Sequence, residues 1–285
     1  MKRSILTLVV MVLFASSAAV AQPCGRIVSL APSVTEVLFE IGLGANVVGV
    51  TRYCRYPEQA KAIPQVGGFY DISLENLLAL KPTLVLGLRE NREIQAGAQR
   101  FGILTHEVDH STVIGIKASM ISIAKLCSLE PVGVEKVSAL EARERALQNS
   151  MQGAPHYKTL VAVGRMREGN SVSGVYVSGK DGFYSGVLEI LGMKNVNQNP
   201  TVAIPMLSPE GFIALAPEVI VEIQSPDDPN EAEDPRALWQ RYGSIPAVQH
   251  NRIFTLREDY ASIPGPRYIL VAEEIARKLK GGDSR

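Results

Sequence analysis

The sequence predicts an α/β protein with two Rossmann-like lobes that one long α-helix connects. Short apolar strands alternate with helical segments in both halves of the 285-residue chain, as in mostly parallel α/β sheets. A long helical pattern without strands separates the halves. The phrase SLENLLALKP at 73–82 returns as SPEGFIALAP at 208–217, so each half contains a related element.

Length and composition agree with two lobes that each have a core. The chain is 46% hydrophobic and 20% charged, with a formal net charge of zero. A nucleic-acid-binding protein would usually show a basic excess, so the balanced charge argues against that class. The predicted regions are a signal peptide at 1–21, a first lobe at 22–122, a helical region with the bridging helix at 123–153, and a second lobe at 154–285.

The first residues predict export. A basic start (MKR, 1–3) leads into an apolar run, and AVA at 19–21 fits the cleavage pattern of a secretory signal peptide. The purely apolar core is shorter than the ~20 residues of a membrane-spanning helix. The residues before Cys24 match a lipid-attachment site poorly, so we expect no lipid anchor.

The first lobe alternates strands and helices from its start. RIVSL (26–30) predicts the first strand, and the next helix begins at Ser33, which has capping-box spacing to Glu36. GLGANVVGV (42–50) is typical of a turn that leads into the second strand. The later elements are the helix at 73–82, the strand TLVLGL (83–88), a helix at 91–100 and the strand ILTHEV (103–108).

The region between the lobes is helical from 118 to about 152, with a break at Glu130-Pro131. Proline fits the first turn of a helix, so a new helix begins there. Such a helix of ~20 residues spans about 30 Å, the diameter of a small domain. Its apolar stripe consists of Val134, Val137, Leu140 and Leu147.

The second lobe resumes the alternation. Its predicted elements are the strand KTLVAVGR (158–165), a helix at 184–191, the second repeated helix, the strands VIVEI (219–223) and RIFTL (252–256), and a helix at 266–280. Each repeated phrase therefore predicts a short helix that proline closes and that a buried strand follows. Glu75 and Glu210 lie in the first turns of these helices, where the helix dipole favours an anion. One such carboxylate merely stabilises its helix, but two in separate lobes indicate a shared partner.

Aromatic residues gather in loops that follow strands, the edge at which open α/β sheets bind ligands. The first-lobe candidates are Tyr53, Cys54, Arg55, Phe69 and Tyr70. The second-lobe candidates are Tyr176, Phe183, Asp259 and Tyr260. Aromatic side chains in a cleft suit a large, flat or apolar ligand, whereas packing beneath the loops is the alternative explanation.

Signals for metal binding and catalysis are weak. His106 and His110 are four residues apart on a strand and its exit, which separates them by about 13 Å, so we expect structural or solvent-facing histidines. The acidic segment at 226–235 is interpreted as a solvated loop. Nothing assembles a catalytic set, so we predict that the protein is not an enzyme and has no resident metal or cofactor. The three cysteines, Cys24, Cys54 and Cys127, allow at most one internal disulfide, and the pairing stays open.

Several segments together resemble one protein family. RIVSLAPSVTEVLFEIGLGANVVGVTRYCRYP, IPQVGG and SLENLLALKPTLVLG resemble the substrate-binding proteins of bacterial ABC importers for vitamin B12, haem and iron–siderophores. SGKDG, SPEGFIALAPEVIV, LWQRYGSIPAVQHNRIFTL and PGPR in the second lobe also fit. The resemblance covers essentially the whole mature chain. It implies a periplasmic, monomeric, non-enzymatic protein with two lobes on a rigid helix and the ligand between them.

The resemblance also assigns roles to residues. It implies that Glu75 and Glu210 dock onto arginines of the inner-membrane permease dimer. The vitamin B12 branch matches best: Tyr53 corresponds to an aromatic residue that contacts the corrin ring, and Phe69 replaces a tryptophan. Leu88 stands at another tryptophan position, and Ile204 or Pro205 stands at a third.

The expected ligand is therefore cobalamin or a related corrinoid, with haem and ferric siderophores as alternatives. A haem carrier would need an axial donor, for which Tyr53, Tyr56 and His110 are candidates. Cys54 could contact a metal centre or pair with Cys24. An exported metal-dependent hydrolase is the competing class, and it would need a converging set of His, Asp or Glu ligands.

Overall fold

The computed structural model describes residues 23–168, 171–199, 202–225 and 235–281. The predicted signal peptide, and nearly all of the predicted acidic loop at 226–235, lie outside these residues. Among the described helices, none combines the length and the apolar character that crossing a membrane requires. Two α/β lobes follow each other along the chain, which confirms the predicted fold class.

The first lobe contains a parallel four-stranded sheet with the strand order β2-β1-β3-β4. Its strands are β1 (Ile27–Ser29), β2 (Val47–Gly49), β3 (Leu84–Leu88) and β4 (Leu104–Val108), and its helices are α1 (Pro32–Glu40), α2 (Leu74–Ala79) and α3 (Arg92–Gln99). All the strands and helices predicted for this lobe are present. The predicted capping box at Ser33 is wrong, because α1 begins one residue earlier at Pro32 and no side chain caps it.

Two helices connect the lobes: α4 (Val113–Leu126) and α5 (Glu130–Ser150). The second of them has 21 residues and carries a proline in its first turn, as the sequence predicts. A β-carbon added to Gly133 would be 2.6 Å from Ala124 Cβ, so glycine allows α4 and α5 to pack closely. A disulfide joins Cys24 to Cys127 at the end of α4, which excludes a bond between Cys24 and Cys54.

The second lobe has a mixed sheet with the order β10-β9-β5-β6-β8. Its strands are β5 (Lys158–Glu168), β6 (Ser171–Val177), β7 (Lys194–Asn195), β8 (Met206–Leu207), β9 (Val219–Ile223) and β10 (Ile253–Leu256). Its helices are α6 (Phe183–Ile190), α7 (Pro209–Ala214), α8 (Pro235–Trp239), α9 (Pro246–Gln249) and α10 (Tyr268–Leu279). The elements β6, β7, β8, α8 and α9 were not predicted from the sequence. Of these, β7, β8, α8 and α9 are too short to show a clear hydrophobic period.

One hydrophobic core extends through both lobes. It contains Val34 and Leu84 of the first lobe, and Val187 and Val219 of the second. Leu140 of α5 belongs to the same cluster, and α5 packs against α4, α6 and α10, so the bridging helix is part of the core that the two lobes share. Two smaller clusters fill the outer faces of the lobes. A continuous core of this kind favours a fixed lobe arrangement over a freely hinged one.

Candidate ligand-binding cleft

The repeated phrases form equivalent structures in the two lobes. Ser73 caps α2 by accepting a hydrogen bond from the backbone N–H of Asn76 at 3.1 Å. Ser208 caps α7 in the same way, accepting from the N–H of Gly211 at 3.3 Å. Each serine therefore satisfies one of the unpaired donors of the first helical turn. The serine of each Ser-x-Glu phrase therefore determines where its helix begins.

The ends of the two helices also match. Lys81 and Ala216 both adopt left-handed backbone conformations, with φ of 49° and 45°, and proline follows each of them. The apolar anchors are Leu77 in α2 and Phe212 in α7, both fully buried. The buried strands β3 and β9 then follow, as predicted. Similar capping and termination show that the two segments are local structural repeats.

Glu75 and Glu210 occupy equivalent positions in the first turns of α2 and α7, and both are exposed. Neither forms an ion pair with a residue that the structure describes. The pKa of Glu210 lies below its usual value because its own backbone N–H and the Ser208 hydroxyl hydrogen-bond the carboxylate. Both side chains are therefore available to a partner, and their contact with a permease remains a prediction.

A cavity of about 1100 Å³ lies between the lobes. Phe69, Tyr70 and Leu88 of the first lobe line it, and Phe183 of the second lobe lines it as well. Phe69 and Tyr70 meet edge to face with ring centroids 4.9 Å apart. Four of the predicted ligand residues thus line the same cavity, and their contact with a ligand stays a prediction.

The other predicted ligand residues lie outside the cavity wall: Tyr53, Cys54, Arg55, Tyr176, Asp259 and Tyr260. Cys54 is buried in the first lobe, where its sulfur is 3.1 Å from Thr35 Oγ1 and 3.2 Å from Thr51 Oγ1. Burial raises the pKa of this thiol. Cys54 therefore packs inside the first lobe, away from the cavity wall.

Asp259 and Tyr260 instead surround Arg267, which precedes α10. The Arg267 guanidinium donates to Asp259 Oδ1 at 2.8 Å, and it donates to Glu36 of the first lobe at 3.0 Å and 2.5 Å. Its central carbon lies 3.9 Å from the ring centroid of Tyr56 and 5.7 Å from that of Tyr260. Each lobe thus contributes one carboxylate and one tyrosine to the same arginine, and the pair of Arg267 with Glu36 forms the buried part of this inter-lobe junction.

The charges of this junction are shifted by their surroundings. Burial raises the pKa of Glu36 to about 6, because it outweighs the opposing hydrogen bonds and charge of Arg267. Although burial opposes the charge of Arg267, the hydrogen bonds from its guanidinium to Glu36 and Asp259 raise its pKa. Removal of Arg267 would leave Glu36 buried without its counter-charge, whereas removal of Glu36 would leave the arginine paired with Asp259. Sequence reasoning missed Arg267, although its PGPR motif was one of the family signals.

His106 and His110 have structural hydrogen-bonding partners, as predicted. His106 Nε2 is 3.2 Å from Ser122 Oγ. The buried ring of His110 has Nδ1 at 2.8 Å from Ser33 Oγ and Nε2 at 2.7 Å from Ser119 Oγ. Burial lowers the pKa of His110 to about 4, so its ring is neutral at pH 7. No group of three or more His, Cys, Asp or Glu side chains in the described ranges could hold a metal ion.

The loop SGKDG (178–182) forms part of the second-lobe wall. Asn195 Nδ2 donates to the carbonyl of Gly179 at 3.0 Å and to Ser185 Oγ at 2.9 Å. Asn197 Nδ2 donates to the carbonyl of Ser178 at 3.0 Å. These buried amides hold the loop in place, and Lys180 and Asp181 line the cavity beside it. The amides were missed because their neighbours come together only in the folded lobe.

Two α/β lobes with a ligand-sized cavity between them define a solute-binding protein of the inter-lobe type. The chain belongs to the periplasmic binding protein family, whose model matches residues 27–260. A vitamin B12-binding protein of Photorhabdus laumondii subsp. laumondii is 30% identical over 261 residues, which cover 91% of this chain and 89% of that protein.

Two solved structures are similar to this fold. The periplasmic vitamin B12 binding protein BtuF of Vibrio cholerae has a TM-score of 0.75 and 23% identity, with 92% of this chain and 99% of that chain covered. The periplasmic haem binding protein HutB of the same organism also has a TM-score of 0.75, with 21% identity and coverage of 89% and 98%. These likenesses support the fold equally and do not separate the two ligands.

Proposed function

We propose that this protein is an exported solute-binding protein of an ABC importer that captures cobalamin or a related corrinoid and delivers it to a membrane permease. The observation that carries the proposal is the cavity of about 1100 Å³ between the lobes. Its volume lies just above the ~300–1,000 Å³ that is typical of small-molecule sites, so it suits a bulky ligand. The vitamin B12-binding relative supports the ligand class.

The wall of the cavity suits a flat ring. Phe69 and Leu88 supply apolar surface from the first lobe, and Phe183 supplies it from the second. Tyr70 is 89% exposed at the same wall, so ligand binding would cover apolar ring surface that now faces water. The protein would act by binding alone, without catalysing a reaction.

Delivery would use Glu75 and Glu210, one from each lobe, against basic side chains of a two-fold permease. Their equal positions in α2 and α7 support this role. Exposed charge pairs contribute little affinity but fix orientation and partner choice. The rigid lobe arrangement keeps the two carboxylates at a constant separation, which a symmetric partner requires.

An absorbance titration of the purified protein tests the ligand. Cobalamin and cobinamide are expected to saturate at one ligand per protein, with a shift of the corrin bands. Phe69→Ala should weaken this binding about tenfold because it removes ring contact area. Phe101→Ala is the matched control, since Phe101 is 64% exposed and outside the cavity wall. Failure of both corrinoids to bind would overturn the ligand assignment.

Haem and ferric siderophores are the alternative ligands, and haemin and a ferric siderophore belong in the same titration. Both ring nitrogens of His110 are engaged by serine hydroxyls, and Tyr56 packs against Arg267. These contacts disfavour the two residues as axial donors for haem. The competing hydrolase would require a bound metal, so stoichiometric zinc in the purified protein would contradict a binding-only function.

A further inference from the structure

Exposed apolar side chains gather on one part of the second-lobe sheet. Tyr176 of β6 and Met206 of β8 are register partners, and they are 39% and 52% exposed. Met166 of β5 is 44% exposed and lies opposite Gly174. We define the platform as Tyr176, Met206 and Met166 together with Gly164 and Gly174 beneath them. Contiguous exposed apolar surface of this kind marks an interaction site.

The two glycines make the platform flat. A β-carbon added to Gly164 would lie 3.5 Å from the ring of Tyr176, so the ring leans over that glycine. A β-carbon added to Gly174 would lie 3.3 Å from the sulfur of Met206, so the thioether lies over the second glycine. The absence of side chains at both positions lets the ring and the thioether lie close to the sheet. The result is a shallow apolar surface of an aromatic ring and a polarisable sulfur.

The platform lies on the face of the sheet opposite the outer-face core and borders the cavity wall. Val175 and Val177 belong to the outer-face core with Trp239, so Tyr176 between them points to the opposite, inner face. Val163, the residue before Gly164, lines the cavity. Ile204, two residues before Met206, also lines it and is 54% exposed. The platform therefore continues the second-lobe wall of the cavity toward the edge of the sheet.

A permease is a less suitable occupant than the ligand. Phe212 of α7, the helix that carries Glu210, belongs to the outer-face core. The helix α7 therefore packs on the face of the sheet opposite the platform, so the platform and the helix that carries Glu210 lie on different faces. The platform continues the cavity wall instead, so a group tethered to the molecule in the cavity would reach it first.

We propose that the platform binds a second flat group of the ligand, namely the aromatic base that complete cobalamin carries on its nucleotide tail. This inference rests on the proposed function, in which the corrin ring occupies the cavity. An aromatic base can stack on the Tyr176 ring and contact the Met206 sulfur, and both contacts favour flat, apolar groups. Cobinamide has the corrin ring without this base, so it would use the cavity and leave the platform uncovered.

The comparison of cobalamin with cobinamide tests this assignment. Met206→Glu places a charge on the platform, and it should weaken cobalamin binding about tenfold while cobinamide binding changes by less than about twofold. Tyr176→Ser should act in the same direction, which provides a second variant if the first folds poorly. Phe101→Glu is the control for an exposed apolar residue that becomes charged elsewhere, and circular dichroism verifies folding.

Each outcome decides the assignment. Selective loss of cobalamin binding supports the platform as a tail subsite. Equal losses for both corrinoids, or no loss for either, overturn the platform and leave the proposed function standing. Normal binding with reduced permease-dependent uptake would assign the platform to docking and overturn the inference. If the unmodified protein binds neither corrinoid, the proposed function fails and the platform assignment fails with it.

Discussion

The first lobe has a fully parallel sheet, whereas the second lobe has a mixed sheet in which β6 runs antiparallel to β5 and β8. Despite this difference, α2 and α7 share their serine caps, first-turn glutamates, left-handed ends and following strands. The repeat is therefore confined to a short segment that each sheet can carry. The surrounding topology is free to differ.

The cavity walls, unlike the two repeated helices, differ between the lobes. Phe69 and Ile204 precede Glu75 and Glu210 by the same number of residues, and both line the cavity, but one is aromatic and the other aliphatic. Tyr70, the next residue in the first lobe, is exposed, whereas its counterpart Pro205 is buried. The comparison teaches that the surface proposed for docking is symmetrical, while the surface proposed for ligand recognition is not.

Reversal of both repeated charges should have the largest effect. Glu75→Arg with Glu210→Arg is expected to reduce uptake of the ligand to background, because both permease contacts become repulsive. Ligand affinity should not change, since neither residue lines the cavity. Uptake assays in cells that lack the native protein, together with titration of the purified variant, measure the two quantities.

The single reversals sharpen the comparison of the lobes. Symmetrical docking requires Glu75→Arg and Glu210→Arg to reduce uptake by similar factors. Glu93→Arg is the matched control, because Glu93 is an exposed first-turn glutamate of α3, outside the repeat. Normal uptake in the double variant would show that the glutamates only stabilise their helices.

Loss of the inter-lobe arginine should have the second largest effect, which is on the free energy of unfolding. Arg267→Ala leaves Glu36, whose side chain is 2% exposed, without its partner, so the free energy of unfolding should fall by about 3–5 kcal/mol. Arg143→Ala removes an exposed ion pair between α5 and α10 and should cost about 0–1 kcal/mol. Urea unfolding measures both. Equal losses would show that the junction is not an effective buried contact.

Acidification tests whether the lobes unfold together. His110, in the first lobe, has a folded pKa of about 4 against an ordinary value of 6.5, so the unfolded chain binds its proton more tightly. This contribution to stability is complete above pH 6.5 and is lost as the pH falls to 4, by about 3 kcal/mol. Glu36 has the opposite effect, because burial raises its pKa from 4.5 to about 6. Its contribution to stability is present below pH 4.5 and is lost as the pH rises through 6. On acidification Glu36 therefore offsets about 2 kcal/mol of the loss from His110.

His110→Gln should therefore flatten the decline of stability between pH 6.5 and 4, as thermal melts across this range would show. Because one core extends through both lobes, a single transition is expected at each pH. A separate transition for the first lobe at low pH would contradict the shared core. An unchanged pH profile in the variant would remove His110 as the cause.

Local chemistry in the sequence determined much of this protein. Strand and helix patterns predicted the two lobes, Pro131 marked the start of the bridging helix, and the Ser-x-Glu phrases located two equivalent helix starts. These features depend on neighbouring residues, so the period of apolar positions and the capping chemistry are sufficient to find them. The same reasoning placed Phe69 on a loop after a strand, and that residue lines the cavity.

The tertiary structure decided which distant residues meet. The spacing of Ser33 and Glu36 predicted a local cap, but Glu36 pairs with Arg267 at a separation of 231 positions, and Ser33 bonds to His110. Asp259 and Tyr260, which the sequence assigned to the ligand, complete that junction. A buried charge is paired with whichever opposite charge the folded chain brings close to it. The pattern of neighbouring residues does not show which distant residue that will be.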